Sequence, residues 1–178
     1  MNPEFFEQMA MPLFDSLYNL AHWLTGDRSE AEDLVQETYA KALRGFKSFQ
    51  EGTNLRAWMC RILRNTFLNS RSGLMARNTS WLEDEDTDAD LTVAHTATPE
   101  ALLLRRENQQ TVVDAMASLA VEHREIILLS EIEELSYREI AEVLSLPIGT
   151  VMSRLSRARN ALRHLLRANS PGRSQNAL

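Results

Sequence analysis

Apolar positions recur along this 178-residue chain with the spacing of helices, and the chain reads as all-α. Phe6, Met9, Leu13, Leu17, Leu20 and Leu24 line one side of a first helix over about residues 5–24, which Gly26 ends. Ser29 caps a second helix, and Glu30, Glu32 and Asp33 fill its first turn, where the helix dipole favours negative charge. Ala31, Leu34, Val35, Ala42 and Leu43 face inward from it, while Glu30, Asp33 and Glu37 line an outer face. A loop with aromatics at its start carries the chain to a third helix over about residues 55–70. Leu55, Met59, Ile62, Leu63 and Thr66 turn inward there, and Arg61, Arg64, Asn65 and Leu68 turn outward. Further on, Leu102, Leu103, Val112, Val113, Met116 and Leu119 make another stripe, and Ile126, Ile127, Leu128 and Leu129 open the next helix.

The last two elements are the most sharply written. Ser136 can N-cap a short helix, with Glu139 at capping-box spacing and Ile140, Ala141, Val143 and Leu144 on the inner face. Residues 145–149 leave room only for a tight turn, because Pro147 lacks an amide hydrogen and cannot continue the helix. Val151, Leu155, Ala158, Leu162 and Leu165 then form a buried stripe on a longer helix, whose other faces carry Arg154, Arg157, Arg159, Arg163 and Arg167. No acidic residue follows Glu142. Two helices joined in this way make a helix-turn-helix, whose second helix enters the DNA major groove with its first residues at base edges. Thr150, Ser153, Arg154 and Arg157 are the candidate contacts; a helical hairpin with a solvated basic face is the alternative.

Composition narrows the function. The net charge of −6 argues against a protein that coats nucleic acid unaided. Its distribution says more. Between Gly52 and Trp81 the charged residues are Arg56, Arg61, Arg64, Arg71 and Arg77, whereas Glu83, Asp84, Glu85, Asp86, Asp88 and Asp90 follow with no base among them. Two cationic segments parted by an acidic one point to two nucleic-acid surfaces. Arginines beside Asn65 and Asn69 suit phosphate neutralisation combined with recognition of unstacked bases. Cys60 is the only cysteine, which excludes an internal disulfide or a cysteine zinc site within the chain. Between inward Met59 and outward Arg61, it reads as a small semi-buried residue rather than a redox sensor. Trp58 reads as core, and His22 and His123 as surface or partly packed. There is no nucleotide-binding glycine loop, no His/Cys metal cluster and no nucleophile elbow. The expectation is therefore no enzyme, no cofactor, no metal and no small-molecule substrate. Acidic Glu4 and Glu7 without a long apolar run argue against a signal peptide, and nothing approaches a membrane span. A cytoplasmic protein is expected.

Two blocks of the sequence resemble a known family. Residues 135–141 (Leu-Ser-Tyr-Arg-Glu-Ile-Ala), then Pro147, Ile148, Gly149, Thr150, Val151, Met152, Ser153, Arg154 and Leu155, look like the C-terminal domain of bacterial RNA polymerase sigma factors of the extracytoplasmic-function type. Phe49, residues 54–58 (Asn-Leu-Arg-Ala-Trp) and residues 61–66 (Arg-Ile-Leu-Arg-Asn-Thr) resemble the sigma segment that melts and reads the promoter −10 element. The resemblance implies a region 2 domain over 1–78, a flexible acidic linker over 79–104, a region 4 helix-turn-helix domain over 105–170 and a polar tail over 171–178. It implies −10 contacts from Phe49, Asn54, Arg61, Arg64, Asn65 and Asn69, with a flipped base in the loop between Phe49 and Asn54. It implies −35 contacts from Thr150, Ser153, Arg154 and Arg157, and docking of Asp33, Leu34, Gln36 and Glu37 on core RNA polymerase. Met152 stands where many relatives have Lys or Arg. The implied partners are core RNA polymerase, promoter DNA and an anti-sigma factor. The reading that competes with it is an autonomous helix-turn-helix regulator.

Overall fold

The protein is described by a computed structural model covering residues 3–50, 52–75 and 109–168. The expected linker over 79–104, the tail over 171–178, and Leu102 and Leu103 lie outside these residues. All regular structure among the described residues is helical: α1 (Pro3–Ala10), α2 (Phe14–Thr25), α3 (Arg28–Gly45), α4 (Leu55–Met75), α5 (109–117), α6 (Val121–Ile127), α7 (Tyr137–Leu144) and α8 (Ile148–Ala168).

The stripe from Phe6 to Leu24 belongs to two helices rather than one. Pro12 has no amide to donate, and a 3-10 turn over Met11–Leu13 separates α1 from α2. The inner face survives the break: Phe6, Leu17, Leu20 and Leu24 are buried. Gly26 ends α2 in the left-handed conformation, φ 73°, its amide donating to the His22 carbonyl at 2.8 Å. The cap of α3 is Asp27, not Ser29. Asp27 is extended, and its carboxylate accepts the Glu30 amide at 2.8 Å.

In α3, Leu43 is 48% exposed, against the expected inward placement. It sits one residue, about 100° of helix, off the stripe that Ala42 continues. Thr38 takes the buried position instead, its hydroxyl donating to the Leu34 carbonyl at 2.7 Å so that no polar atom is stranded. Val112 is exposed for the same reason beside buried Val113.

Helices α2, α3 and α4 pack on one another around Leu17, Val35, Met59 and Leu63. Tyr39 donates its hydroxyl to the Ala10 carbonyl at 2.7 Å, and burial pushes that phenol up to about 12. In the second unit α8 packs on α6 and α7, with Ile126, Leu129, Ile140, Val151 and Leu155 fully buried. A π turn over Leu128–Ile132 links α6 to the helix-turn-helix, its end marked by the Glu133 amide on the Leu128 carbonyl at 2.9 Å. The two units are not separate: α4 packs against α7, and their buried residues form one continuous apolar cluster.

Candidate nucleic-acid interface

Asn54 sets the start of α4. Its side-chain oxygen accepts the amides of Arg56 at 3.0 Å and Ala57 at 3.4 Å, the geometry of an N-cap. The preceding loop closes through Thr53, whose hydroxyl donates to the Gln50 carbonyl at 2.7 Å, and through Gly52 at φ 90°. Beneath the loop lies an aromatic floor. Phe49 stacks on Phe46 at 5.7 Å and tilts against Trp58 at 5.4 Å. Phe49 is buried, so of the expected −10 set it offers no open stacking surface. Trp58 is half-buried on the same cluster.

Along α4 the expected outer face is observed. Arg61, Asn65, Leu68 and Asn69 are exposed, and Arg64 is half-buried, while Leu55, Met59, Cys60, Leu63 and Thr66 are buried. Cys60 is fully buried. Burial pushes its thiol well above the ordinary thiol range, the Glu133 charge adds to this and Arg56 opposes it.

The capping box of α7 is formed in full: the Glu139 amide donates to Ser136 Oγ at 3.3 Å, and the Ser136 amide donates to Glu139 Oε2 at 2.7 Å. The turn to α8 is as tight as expected, with three residues between the helices. Ser145 adopts the left-handed conformation, φ 54°, and the Leu146 amide donates to the Ala141 carbonyl at 2.9 Å, a Schellman closure built on serine. Gly149 is already helical. From α8, Ser153 and Arg157 are exposed, and Thr150 and Arg154 are half-buried. Arg159 is committed elsewhere. It holds Glu131 with both Nε (3.1 Å) and Nη2 (2.5 Å), which lowers the Glu131 carboxyl below its usual range.

On α3, Asp33, Gln36 and Glu37 are exposed, but Leu34 is buried in the domain's own core. Glu37 pairs with Lys41 at 3.3 Å, one turn on.

Three charged residues that sequence reasoning passed over join the two units. Arg124 donates to the Met116, Ala117 and Leu119 carbonyls at 2.9, 2.6 and 3.2 Å, closing the end of α5, and reaches the Trp23 carbonyl of α2 at 3.1 Å. Glu125 is buried and accepts from Arg64 Nε at 2.7 Å. Burial raises its carboxyl; Arg64 and, at longer range, Arg154 counteract that. Glu133, 2% exposed, meets Arg56 at 3.5 Å and accepts the Ser16 hydroxyl. A signal was available for Glu125, which precedes buried Leu129 by four residues and so falls on the inner stripe; Glu133 lies past the π turn, where the helical period no longer applies.

Comparison with known proteins decides the family. Residues 12–75 match Sigma-70 region 2, and residues 109–162 match Sigma-70, region 4. The chain is 35% identical to the ECF RNA polymerase sigma factor SigE of Mycolicibacterium smegmatis, over 96% of this chain and 68% of the relative. It is 31% identical to the ECF sigma factor SigW of Bacillus subtilis, over 86% and 84%. The chain belongs to the ECF RNA polymerase sigma factors. Its fold matches that of the sigma factor RpoE from Bartonella quintana, solved with the anti-sigma factor NepR, at TM-score 0.73 and 31% identity, covering 92% of this chain and 98% of that one. It also matches CnrH, solved with the cytosolic domain of CnrY, at TM-score 0.65 and 26% identity, covering 95% and 92%. This sigma factor is a DNA-binding factor of transcription initiation. None of its described helices is long and apolar enough to cross a membrane.

Proposed function

We propose that this sigma factor joins core RNA polymerase through Asp33, Gln36 and Glu37 on α3, reads the −35 element through Thr150, Ser153, Arg154 and Arg157 on α8, and opens and reads the −10 element with Asn54, Arg61, Arg64, Asn65 and Asn69. Leu34 supports the docking face from below, and Phe49 lies in the aromatic floor beneath the loop for an unstacked base. The domains run over 1–78 and 105–170. The observation that carries this reading is the exposed row Arg61, Asn65 and Asn69 on α4, which sets cationic and amide groups side by side away from the buried face of Leu55, Met59 and Leu63. The protein acts in the cytoplasm, without a catalytic step of its own.

Its control is by an anti-sigma factor released under stress, a reading supported by the full-length likeness to RpoE in its complex with NepR.

Run-off transcription tests the proposal. The protein is added to sigma-free core polymerase on genomic DNA fragments, and transcript starts are mapped. New starts that share a pair of upstream elements are expected. A folded protein that yields none with active core, yet binds duplex DNA alone, would be an autonomous regulator.

A further inference from the structure

Helix α8 sorts its exposed side chains by chemistry along its length. Ile148 is 45% exposed and Met152 53%, one turn apart at the start of the helix. From Ser153 to Arg167 every exposed side chain is polar or cationic. The exposed apolar bulk is thus confined to the end that a helix-turn-helix places at base edges. Neither residue belongs to the apolar cluster that takes in Val151, Leu155 and Ala158. Left in water, the pair is an apolar surface whose covering would be favourable.

The helical rotation places the pair. At about 100° per residue, Ser153 and Ser156 stand opposite the buried stripe of Val151, Leu155 and Ala158. Thr150 and Arg157 lie on one flank of that outer face, and Ile148 and Met152 lie on the other. A helix with its side chains nearly fills the width of the major groove, so both flanks meet groove walls. The flanks differ in what they can recognise. Hydroxyl and guanidinium groups suit base-edge acceptors and phosphate. An apolar side chain finds one apolar group among the base edges there, the C5-methyl of thymine. The charge of α8 says what covers the pair. The helix carries Arg154, Arg157, Arg159, Arg163 and Arg167 and no acid, which favours a polyanion. Duplex DNA that shows a thymine supplies both the charge and the apolar group.

We propose that Met152, backed by Ile148, is a specificity-determining residue of this sigma factor and covers the C5-methyl of one thymine in the −35 element. This rests on the −35 reading proposed above and adds a base preference that Thr150, Ser153, Arg154 and Arg157 do not supply. The residue types suit the task. Methionine is unbranched and polarizable, so it shapes itself to a small apolar group. Helical side chains lean toward the N-terminus, which lays Met152 over the turn that carries Ile148. Ile148 is branched at Cβ and stiff, so it offers a firm base.

Removing the methyl group alone tests the assignment. A promoter mapped by run-off transcription is rebuilt as duplex DNA with deoxyuridine in place of each −35 thymine in turn, on either strand. The affinity of the holoenzyme for each duplex is read by competition. At one thymine, loss of the methyl should weaken binding by the parent holoenzyme about fourfold, the worth of one buried methyl group. Met152→Leu should keep that discrimination. Met152→Ala should bind the thymine and deoxyuridine duplexes alike. Both variants change an exposed side chain, so their urea midpoints should match that of the parent. A −35 element without thymine, a parent indifferent to every deoxyuridine, or a Met152→Ala holoenzyme that discriminates as well as the parent would each overturn the assignment. The two readings fail differently. A run-off assay without defined starts removes the sigma function and the base preference with it, whereas defined starts without a methyl effect remove only the role of Met152.

Discussion

The side-chain amide of Asn54 donates to the carboxylate of Glu139 across 85 residues of chain, at 2.7 Å. Each partner is already at work on its own helix. The Asn54 oxygen caps α4, and the other Glu139 oxygen closes the capping box of α7. One hydrogen bond thus ties together the starts of two helices from two domains.

Asn54→Ala should lose both functions. Loss of the cap should destabilise the chain by about 1 kcal/mol. A double-mutant cycle with Glu139→Ala, read from urea midpoints, should give a coupling of about 1 kcal/mol for the bond between them. A coupling of zero would mean that the two helix starts are independent in solution.

Asn65→Ala removes an exposed side chain from the middle of α4. Stability should stay within about 0.5 kcal/mol of the parent. Promoter opening by the holoenzyme, followed by permanganate reactivity of thymines, should fall. Unfolding of the variant, or undiminished opening, would take Asn65 out of the −10 set.

Ser145 holds a left-handed conformation, φ 54°, with nothing but its own backbone requiring it. Glycine adopts that conformation without the Cβ clash. Ser145→Gly should therefore stabilise the helix-turn-helix by about 0.5–1 kcal/mol, visible as a raised denaturation midpoint.

Two carboxyls shift in opposite directions and should shape stability against pH from opposite sides. For Glu139, burial works to raise the value, but the hydrogen bonds from Ser136 and Asn54 outweigh it, and the group lies below its ordinary 4.5. Its stabilisation is present above that pH and is lost as pH falls through the depressed folded-state value. Glu125 is raised by burial, so its contribution is complete below 4.5 and is lost as pH climbs through the elevated value. Urea midpoints measured across pH should show a flatter acid limb for Glu139→Gln and a flatter decline above pH 4.5 for Glu125→Gln.

Cys60 is fully buried and its thiol is pushed up by that burial. A coloured disulfide reagent should leave the native protein unmodified and react with one thiol per chain in denaturant. Rapid reaction of the native protein would contradict the packing of α4 described above.

The helices and their buried faces were legible because they depend on local rules. The capping box of Ser136 and Glu139 is complete within four residues, and the stripe of Val151, Leu155 and Ala158 needs only the helical period. Misreadings arose where one residue changes the path. Pro12 breaks a stripe that looks continuous, and Asp27 outcompetes Ser29 by standing where its carboxylate reaches a free amide. Thr38 hides by bonding its own helix, a choice invisible in a count of apolar residues. The left-handed closure on Ser145 was not legible, because geometry rather than composition fixes the Schellman position. In the candidate site, the exposure of Asn65 and Arg61 followed from periodicity. The engagement of Arg64 and Asn54 did not, since their partners lie 61 and 85 residues away and no local pattern announces a cross-domain carboxylate.

The π turn over Leu128–Ile132 gives that engagement an unusual genetic basis. Its closing bond runs from Glu133 to Leu128, five residues back instead of four, so the turn accommodates one residue that an unbroken α-helix would not. Excising a single residue there would restore the ordinary helix and rotate everything after it by about 100°. Glu133 would swing away from Arg56 and Ser16 with every side chain unchanged. The aim of this carboxylate is written in the number of codons between α6 and α7, and a one-codon deletion would alter it more than most substitutions.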